Sequence, residues 1–292
     1  MNVLSLFDGI SCGQVALQRA GIKVDNYYAS EVDKYAMQVT MKNYPNTIQL
    51  GDVRNVNGSE LPVIDLLMGG SPCQGFSFAG KQLNFEDERS KLFFEFVRLL
   101  EEVKPKYFLL ENVKMKKEYQ DIISQYLGVE PIEINSALVS AQNRVRLYWT
   151  NIKGIKQPED MGFTIYDIID KEIEDCCDHE LFDFEMYNPI ETINYIQFDI
   201  SGKGYKSQQD RAYKLNKKFC CFPSARAITK RKILMGDTNT ICRDLSLNEC
   251  ERIQTLPINY TALDSGFSLS KSLSAIGNGW TVDVITHIFS FI

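Results

Sequence analysis

Cys73 follows two glycines, a serine and a proline in Gly69-Gly70-Ser71-Pro72-Cys73-Gln74, at the end of an apolar run. Inside such a run a cysteine is ordinary core filler. Carried on an exposed turn of constrained backbone, it can ionise and act as a nucleophile. Two further clusters could serve it. Glu111-Asn112 closes the apolar run 107–110, and a carboxyl group kept protonated by its pocket can donate to a ring nitrogen. A helix cap is the alternative for Glu111. Gln142-Asn143-Arg144-Val145-Arg146 enters the apolar run 147–149, where strand alternation would send Arg144 and Arg146 to one face. Two such arginines are either solvated surface or, beside Glu111, a clamp for an oxygen atom. His179 and His287 are the only histidines, which argues against Ser-His-Asp or Cys-His chemistry.

A second group of residues suits a cofactor. Phe7-Asp8-Gly9-Ile10-Ser11-Cys12-Gly13 lies between a strand pattern and a helix pattern. Its two glycines permit a tight turn and close backbone approach to a ligand at a helix N-terminus. Glu31 follows the next strand, where an acidic side chain can accept from ribose hydroxyls. Asp52, in Gly51-Asp52-Val53, could receive an adenine amino group. Three acidic strand ends favour an adenosine-containing ligand. The phosphate fingerprint G-x-G-x-x-G is absent and Asp8 would repel a pyrophosphate. S-adenosylmethionine, cationic and free of phosphate, fits better than NAD.

The elements that must position these residues alternate. Strands are expected at 3–7, 27–30, 64–68 and 107–110, and helices at about 10–20, 32–43 and 89–103, where Leu92, Phe93, Phe96, Val97, Leu99 and Leu100 form one broad face. This rhythm predicts an α/β fold with a doubly wound, mostly parallel sheet, whose ligands gather outside the carboxyl ends of the strands. Periodicity fades after Asn151. It returns with Ser-x-x-Glu at 246–249, a helix-start signal, and a final apolar segment at 280–292. The expected organisation is a catalytic and cofactor-binding domain at 1–151, a small inserted lobe at 152–238, and a segment at 239–292 that completes the first domain.

Composition sets limits. The chain has 292 residues, 44% hydrophobic and 24% charged, which is ordinary for a globular protein. Without an 18-residue apolar run or a leader pattern, it is expected to be soluble and cytoplasmic, with no membrane partner. Eight cysteines include no C-x-x-C pair, so reduced thiols are expected and no metal; a zinc site at Cys176, Cys177 and His179 is the weaker alternative. The net charge of −6 hides a break: residues 153–200 carry 13 acidic and 3 basic side chains, whereas residues 203–232 carry 10 basic ones against Asp210. The second stretch could neutralise phosphates.

Taken together, Phe7-Asp8-Gly9, Ser30-Glu31-Val32, Gly51-Asp52-Val53, Gly70-Ser71-Pro72-Cys73-Gln74, Glu111-Asn112-Val113, Gln142-x-Arg144-x-Arg146, Glu249-Cys250-x-Arg252-x-Gln254 and Gly277-Asn278-Gly279-Trp280 resemble the ordered motifs of the DNA cytosine-5 methyltransferase family. The branch resembled is that of small phage or bacterial enzymes and of animal de novo methyltransferase catalytic domains. The resemblance implies a Rossmann-like class I methyltransferase fold. It implies attack by Cys73 on carbon 6 of a flipped cytosine in double-stranded DNA. Glu111 would hold the ring, and Arg146, with Arg144 nearby, the base oxygen. The cofactor would be S-adenosylmethionine, lined by Phe7, Asp8, Gly9, Ser11, Gly13, Glu31, Val32, Asp52, Val53, Asn278 and Trp280. The lobe at 152–238 would recognise the target, and the context would be a paired restriction endonuclease or a phage. The recognition sequence, the oligomeric state and the base that removes the carbon-5 proton stay open. A tRNA cytosine-5 methyltransferase on the same scaffold, and a non-catalytic DNA-binding relative, are the alternatives.

Overall fold

The computed structural model describes residues 1–71, 88–170, 182–183, 187, 189–199, 210–224, 231–235, 241–263 and 268–292. Its contacts divide the chain into two compact units: Met1–Asn135 with Val145–Pro158 and Val282–Ile292, and Ser136–Arg144 with Glu159–Thr281.

The first unit is built on seven strands: β1 (Asn2–Leu6), β2 (Asn26–Ser30), β3 (Ile48–Gln49), β4 (Leu66–Gly70), β5 (Tyr107–Val113), β6 (Ile132–Asn135) and β7 (Val145–Thr150). Their order is β3-β2-β1-β4-β5-β7-β6, parallel except for the pairings of β7 with β5 and β6. The order reverses between β1 and β4, the kind of switch point at which such sheets bind ligands. Because both faces are covered, the strands read as apolar runs rather than alternations. Leu4, Leu6, Leu67, Leu110 and Trp149 pack against Phe93, Phe96 and Leu99 of a helix. Burying each of these side chains contributes about 1.5–3 kcal/mol.

The helices of the first unit are α1 (Cys12–Arg19), α2 (Lys34–Asn43), α3 (Glu88–Val103) and α4 (Lys117–Leu127); α5 (Leu247–Ile253) and α6 (Leu269–Asn278) belong to the second unit, and α7 (Val282–Phe289) to the first. Asp33 caps α2 by accepting from the amides of Tyr35 and Ala36. Arg19 at the end of α1 pairs with Asp283 of α7 at 2.7 Å.

Two strand ends differ from the sequence reading. β4 runs through Gly69-Gly70 instead of stopping before them, since a side chain at Gly69 would lie 2.9 Å from the Leu6 carbonyl oxygen. β5 likewise continues through Glu111 and Asn112, because β7 supplies partners: Glu111 faces Tyr148, Asn112 faces Leu147 and Val113 faces Arg146. Glu111 is therefore a strand residue and not a helix cap.

In the second unit, β8 (Phe182–Asp183), β9 (Ile190–Glu191), β10 (Tyr195–Gln197), β11 (Arg211–Tyr213), β12 (Lys232–Leu234) and β13 (Ile241–Asp244) form a sheet of order β8-β13-β12-β11-β10-β9. Ile196, Phe198, Ala212, Leu234 and Cys242 are its core. The lobe expected at 152–238 is thus drawn differently by contacts, which keep 239–281 in this unit and return only Val282–Ile292 to the first. The reason lies in α5. Its capping box of Ser246 and Glu249, legible in the sequence, also ties Glu249 to Arg243 of β13 at 2.7 and 2.8 Å and to the Asp170 amide at 2.9 Å.

Candidate active site

Three strand ends of the first unit surround one cavity of about 560 Å³, lined by Phe7, Ser30, Glu31, Val32, Asp52, Val53, Arg54, Lys91, Leu92 and Glu95. The turn after β1 is tightly wound, with positive φ at Phe7 (57°), Gly9 (58°) and Ser11 (57°). For a residue as bulky as phenylalanine this conformation is costly, and such strain concentrates at functional turns. Glu31 holds the turn from outside: its carboxylate accepts from the amides of Gly9 at 2.7 Å, Val32 at 2.7 Å and Asp33 at 2.8 Å. The Ser30 hydroxyl donates to the Gly51 carbonyl at 2.7 Å, fastening the next strand end beside it.

Asp52 accepts from the Arg54 amide at 3.0 Å and from its guanidinium at 2.5–3.1 Å. Those hydrogen bonds hold its carboxyl below the usual range. Val32, exposed, and Leu92 give the cavity apolar wall beside these acceptors.

Asp8, Ser11 and Gly13 are absent from the cavity lining. The Asp8 carboxylate accepts from the Tyr27 hydroxyl at 2.6 Å and from the Ser11 hydroxyl. A side chain at Gly13 would meet the end of Met68 at 2.3 Å and the Tyr27 hydroxyl at 3.2 Å. These three residues shape the turn from behind.

At the reactive end, Cys73 with Pro72 and Gln74 lies outside the described residues, as do Cys176, Cys177 and His179. What precedes Cys73 is described. Gly70 pairs directly across from Glu111 in the β4–β5 register. Asn112 donates to the Ser71 hydroxyl at 3.1 Å, binding the start of the loop to β5. Glu111, 8% exposed, accepts from the Arg146 Nε at 3.0 Å.

Arg144 has contacts of its own in the second unit. β7 begins at Val145, so the alternation that would place both arginines on one face does not reach Arg144. Its guanidinium donates to the carbonyls of Phe222 at 3.2 Å, Gly277 at 3.1 Å and Gly279 at 3.0 Å. Gln142 and Gln254 complete this knot. Gln142 donates to the Gln254 side chain at 2.8 Å and accepts from the Phe222 amide at 3.1 Å, while Gln254 donates to the Ile276 carbonyl at 2.9 Å. The matched motifs at 142–144, 249–254 and 277–280 therefore meet in the second unit, where Asn278 is exposed and Trp280 half-buried.

Arg54, Lys91, Leu92 and Glu95 were not singled out as site residues by sequence. Lys91 and Glu95 are spaced i, i+4 on α3, a pattern visible in the chain, but only the fold turns that face to the cavity.

Residues 1–292 match the family described as C-5 cytosine-specific DNA methylase. An orphan methyltransferase, M.SPRI of Bacillus phage SPR, is 36% identical over 187 residues, 59% of this chain and 43% of that relative. The type II methyltransferase M.NgoBV of Neisseria gonorrhoeae is 34% identical over 182 residues, 56% and 43% of the two chains. These matches span less than half the length of the curated relatives. Among solved structures, the Schizosaccharomyces pombe Dnmt2 methyltransferase superposes with a TM-score of 0.72 at 20% identity, covering 99% of this chain and 97% of that one. The Entamoeba histolytica methyltransferase EhMeth gives 0.76 at 18% identity, covering 100% and 97%. At such identities the two structures speak for the fold alone.

Proposed function

The chain belongs to the C-5 cytosine-specific DNA methylase family, and from that premise we propose that it methylates carbon 5 of cytosine in double-stranded DNA through a covalent adduct at Cys73. The observation that carries this reading is the strand register: Glu111, ion-paired to Arg146, stands across from Gly70, three residues ahead of Cys73.

The chemistry follows from the residue types. The Cys73 thiolate adds to carbon 6 of the extruded ring while Glu111, in its protonated form, donates that proton to N3, so the electron pair of the 5,6 double bond becomes available at carbon 5. Arg146, paired with Glu111 at 3.0 Å, orients that carboxyl and holds the base oxygen. Carbon 5 takes the methyl group; loss of its proton to a base and expulsion of the thiolate restore the double bond. Arg144 serves by holding the 277–279 turn, not by touching the base.

The family implies an S-adenosylmethionine-type methyl donor, which supplies an electrophilic methyl on a sulfonium. The cavity suits it. Fixed carboxylate acceptors stand at Glu31 for ribose hydroxyls and at Asp52 for the adenine amine, and Phe7, Val32, Val53 and Leu92 give apolar wall. Gly9 shapes the same turn, with Asp8, Ser11 and Gly13 behind it. Asn278 and Trp280 keep the cofactor role proposed from sequence. We assign target recognition to the lobe first expected at 152–238, with the basic residues 203–232 toward phosphates, and a cytoplasmic site of action. A paired endonuclease or a phage setting belongs to the same proposal. Among the described residues no helix is long and apolar enough to cross a membrane, and no cluster of three potential metal ligands occurs.

The test is transfer of labelled methyl from S-adenosylmethionine to duplex DNA or to tRNA. Label is expected in DNA at carbon 5 of cytosine, and Cys73→Ala is expected to abolish it while cofactor binding persists. Label confined to tRNA, or full transfer by the alanine variant, would overturn the reading.

A further inference from the structure

The Asp8 carboxyl lies one residue from Phe7 in the cavity wall, behind the turn. Its hydrogen-bond partners are hydroxyls: Tyr27 from β2 at 2.6 Å, and Ser11 at the start of α1. Ser11 in turn accepts from Thr40 of α2 at 3.0 Å and from Gln14 of α1 at 3.3 Å. No lysine or arginine among the described residues forms an ion pair with Asp8. The titratable groups acting on it are Tyr27 and, across the turn, Glu31. Burial pushes the Asp8 carboxyl up to about 6, against the lowering effect of the Ser11, Ser5 and Tyr27 hydroxyls, and the Glu31 charge adds to the rise.

Asp8 is only partly buried, but a carboxylate held by hydroxyls alone leaves its charge without a counter-ion, and its field reaches further from the partly shielded turn than it would from open water. The proposed methyl donor carries one net positive charge, and the thioether it becomes carries none. The two share every other group, so steric contacts at the adenosine and amino-acid ends discriminate poorly between them. A fixed negative charge behind the turn discriminates by the one property that differs.

We propose that Asp8 is the residue by which the cofactor turn distinguishes the cationic methyl donor from its uncharged demethylated product, binding the donor more tightly when its carboxylate is ionised. The proposal rests on the cofactor reading above. Its sign is fixed by linkage. Above pH 6 Asp8 is ionised and donor is preferred; as pH falls through 6 the carboxyl is protonated and the preference fades. Conversely, donor binding near pH 6 must drive a proton off Asp8, and product binding must not.

The experiment is calorimetric titration of the full chain with S-adenosylmethionine and with S-adenosylhomocysteine from pH 5 to 8, in buffers of different ionisation enthalpy. The ratio of product Kd to donor Kd is expected to rise about fivefold across this range, the consequence of a one-unit fall in the Asp8 pKa on donor binding. Proton release at pH 6 should accompany the donor alone. Asp8→Asn should flatten the ratio. Tyr27→Phe keeps the carboxyl but removes a donor to its ionised form, so the midpoint should move to higher pH. A ratio flat with pH in the unmodified protein, or one unchanged in Asp8→Asn, overturns the proposal and leaves the cofactor reading standing. Binding of neither ligand at any pH overturns both.

Discussion

The two units put the same kinds of polar side chain to opposite uses. At the edge of the seven-stranded sheet, Glu31 and Asp52 are fixed by neighbouring backbone amides and an arginine, yet both face a cavity. In the second unit, Gln142 and Gln254 are turned on each other, Arg144 on backbone carbonyls, and Glu249 on Arg243 and backbone amides, and all four are buried. Both sets come from the ordered motifs that mark the family, so membership in a motif does not separate chemistry from architecture. What separates them is where the strands end. A carboxylate past the end of a parallel strand opens on the ligand crevice, whereas one on a helix packed against a sheet must find a partner inside.

The sharpest way to break this comparison is to remove one acid from each side. Glu111→Gln keeps the shape of the β5 side chain and one oxygen for Arg146, but cannot cycle a proton. Methyl transfer is expected to fall about 10²–10⁴-fold, the range for a positioned acid or base, with a smaller fall in Tm than the next variant. A rate within threefold of the parent would remove Glu111 from the chemistry.

Glu249→Gln should do the reverse. Arg243 and Glu249 are 2% and 0% exposed along their side chains, and depriving a buried arginine of its counter-charge costs about 3–5 kcal/mol. Burial alone would raise the Glu249 carboxyl. The hydrogen bonds and charge of Arg243, with the amides of Asp170 and Ser246, hold it below the usual range. A folded pKa below the unfolded one means stability that is present above the unfolded value and lost as pH falls through the folded value. Denaturant unfolding should therefore show a large gap between parent and variant at pH 7 that narrows as the pH is lowered below about 4. A gap constant with pH would show that shape, not charge, holds α5 to β13.

How much of this was legible in the sequence depended on whether a residue's surroundings were local. The βα rhythm, the α5 capping box and the acidic strand ends are set by neighbours a few residues away, and they appear where the pattern predicts. The continuation of β5 through Glu111 and Asn112 was not legible, because it depends on β7 arriving antiparallel from more than thirty residues on. Arg144 misled for a related reason. Alternation holds only within a strand, and β7 starts one residue too late to include it. Gly69 read as a strand breaker, whereas its need for glycine comes from the Leu6 backbone in the adjoining strand.

A finer distinction lies within the cofactor end of the first unit, between Asp8 behind the turn and Asp52 in the cavity wall. Arg54 holds Asp52 ionised across the range in which Asp8 titrates. The Asp52 side chain is 25% exposed and its arginine 64%, so solvent screens its charge and its contribution to binding is modest. Asp52→Asn should raise the donor Kd about three- to tenfold, less than the full loss of a buried charge-assisted hydrogen bond, with the same factor for the product, since both carry the adenine amine. The factor should not vary between pH 5.5 and 8, and the rate at saturating donor should stay near that of the parent. Calorimetry and initial rates measure both quantities. A pH-dependent factor would mean that Asp52 and Asp8 act as one coupled acid, and an unchanged Kd would take the adenine away from this end of the cavity.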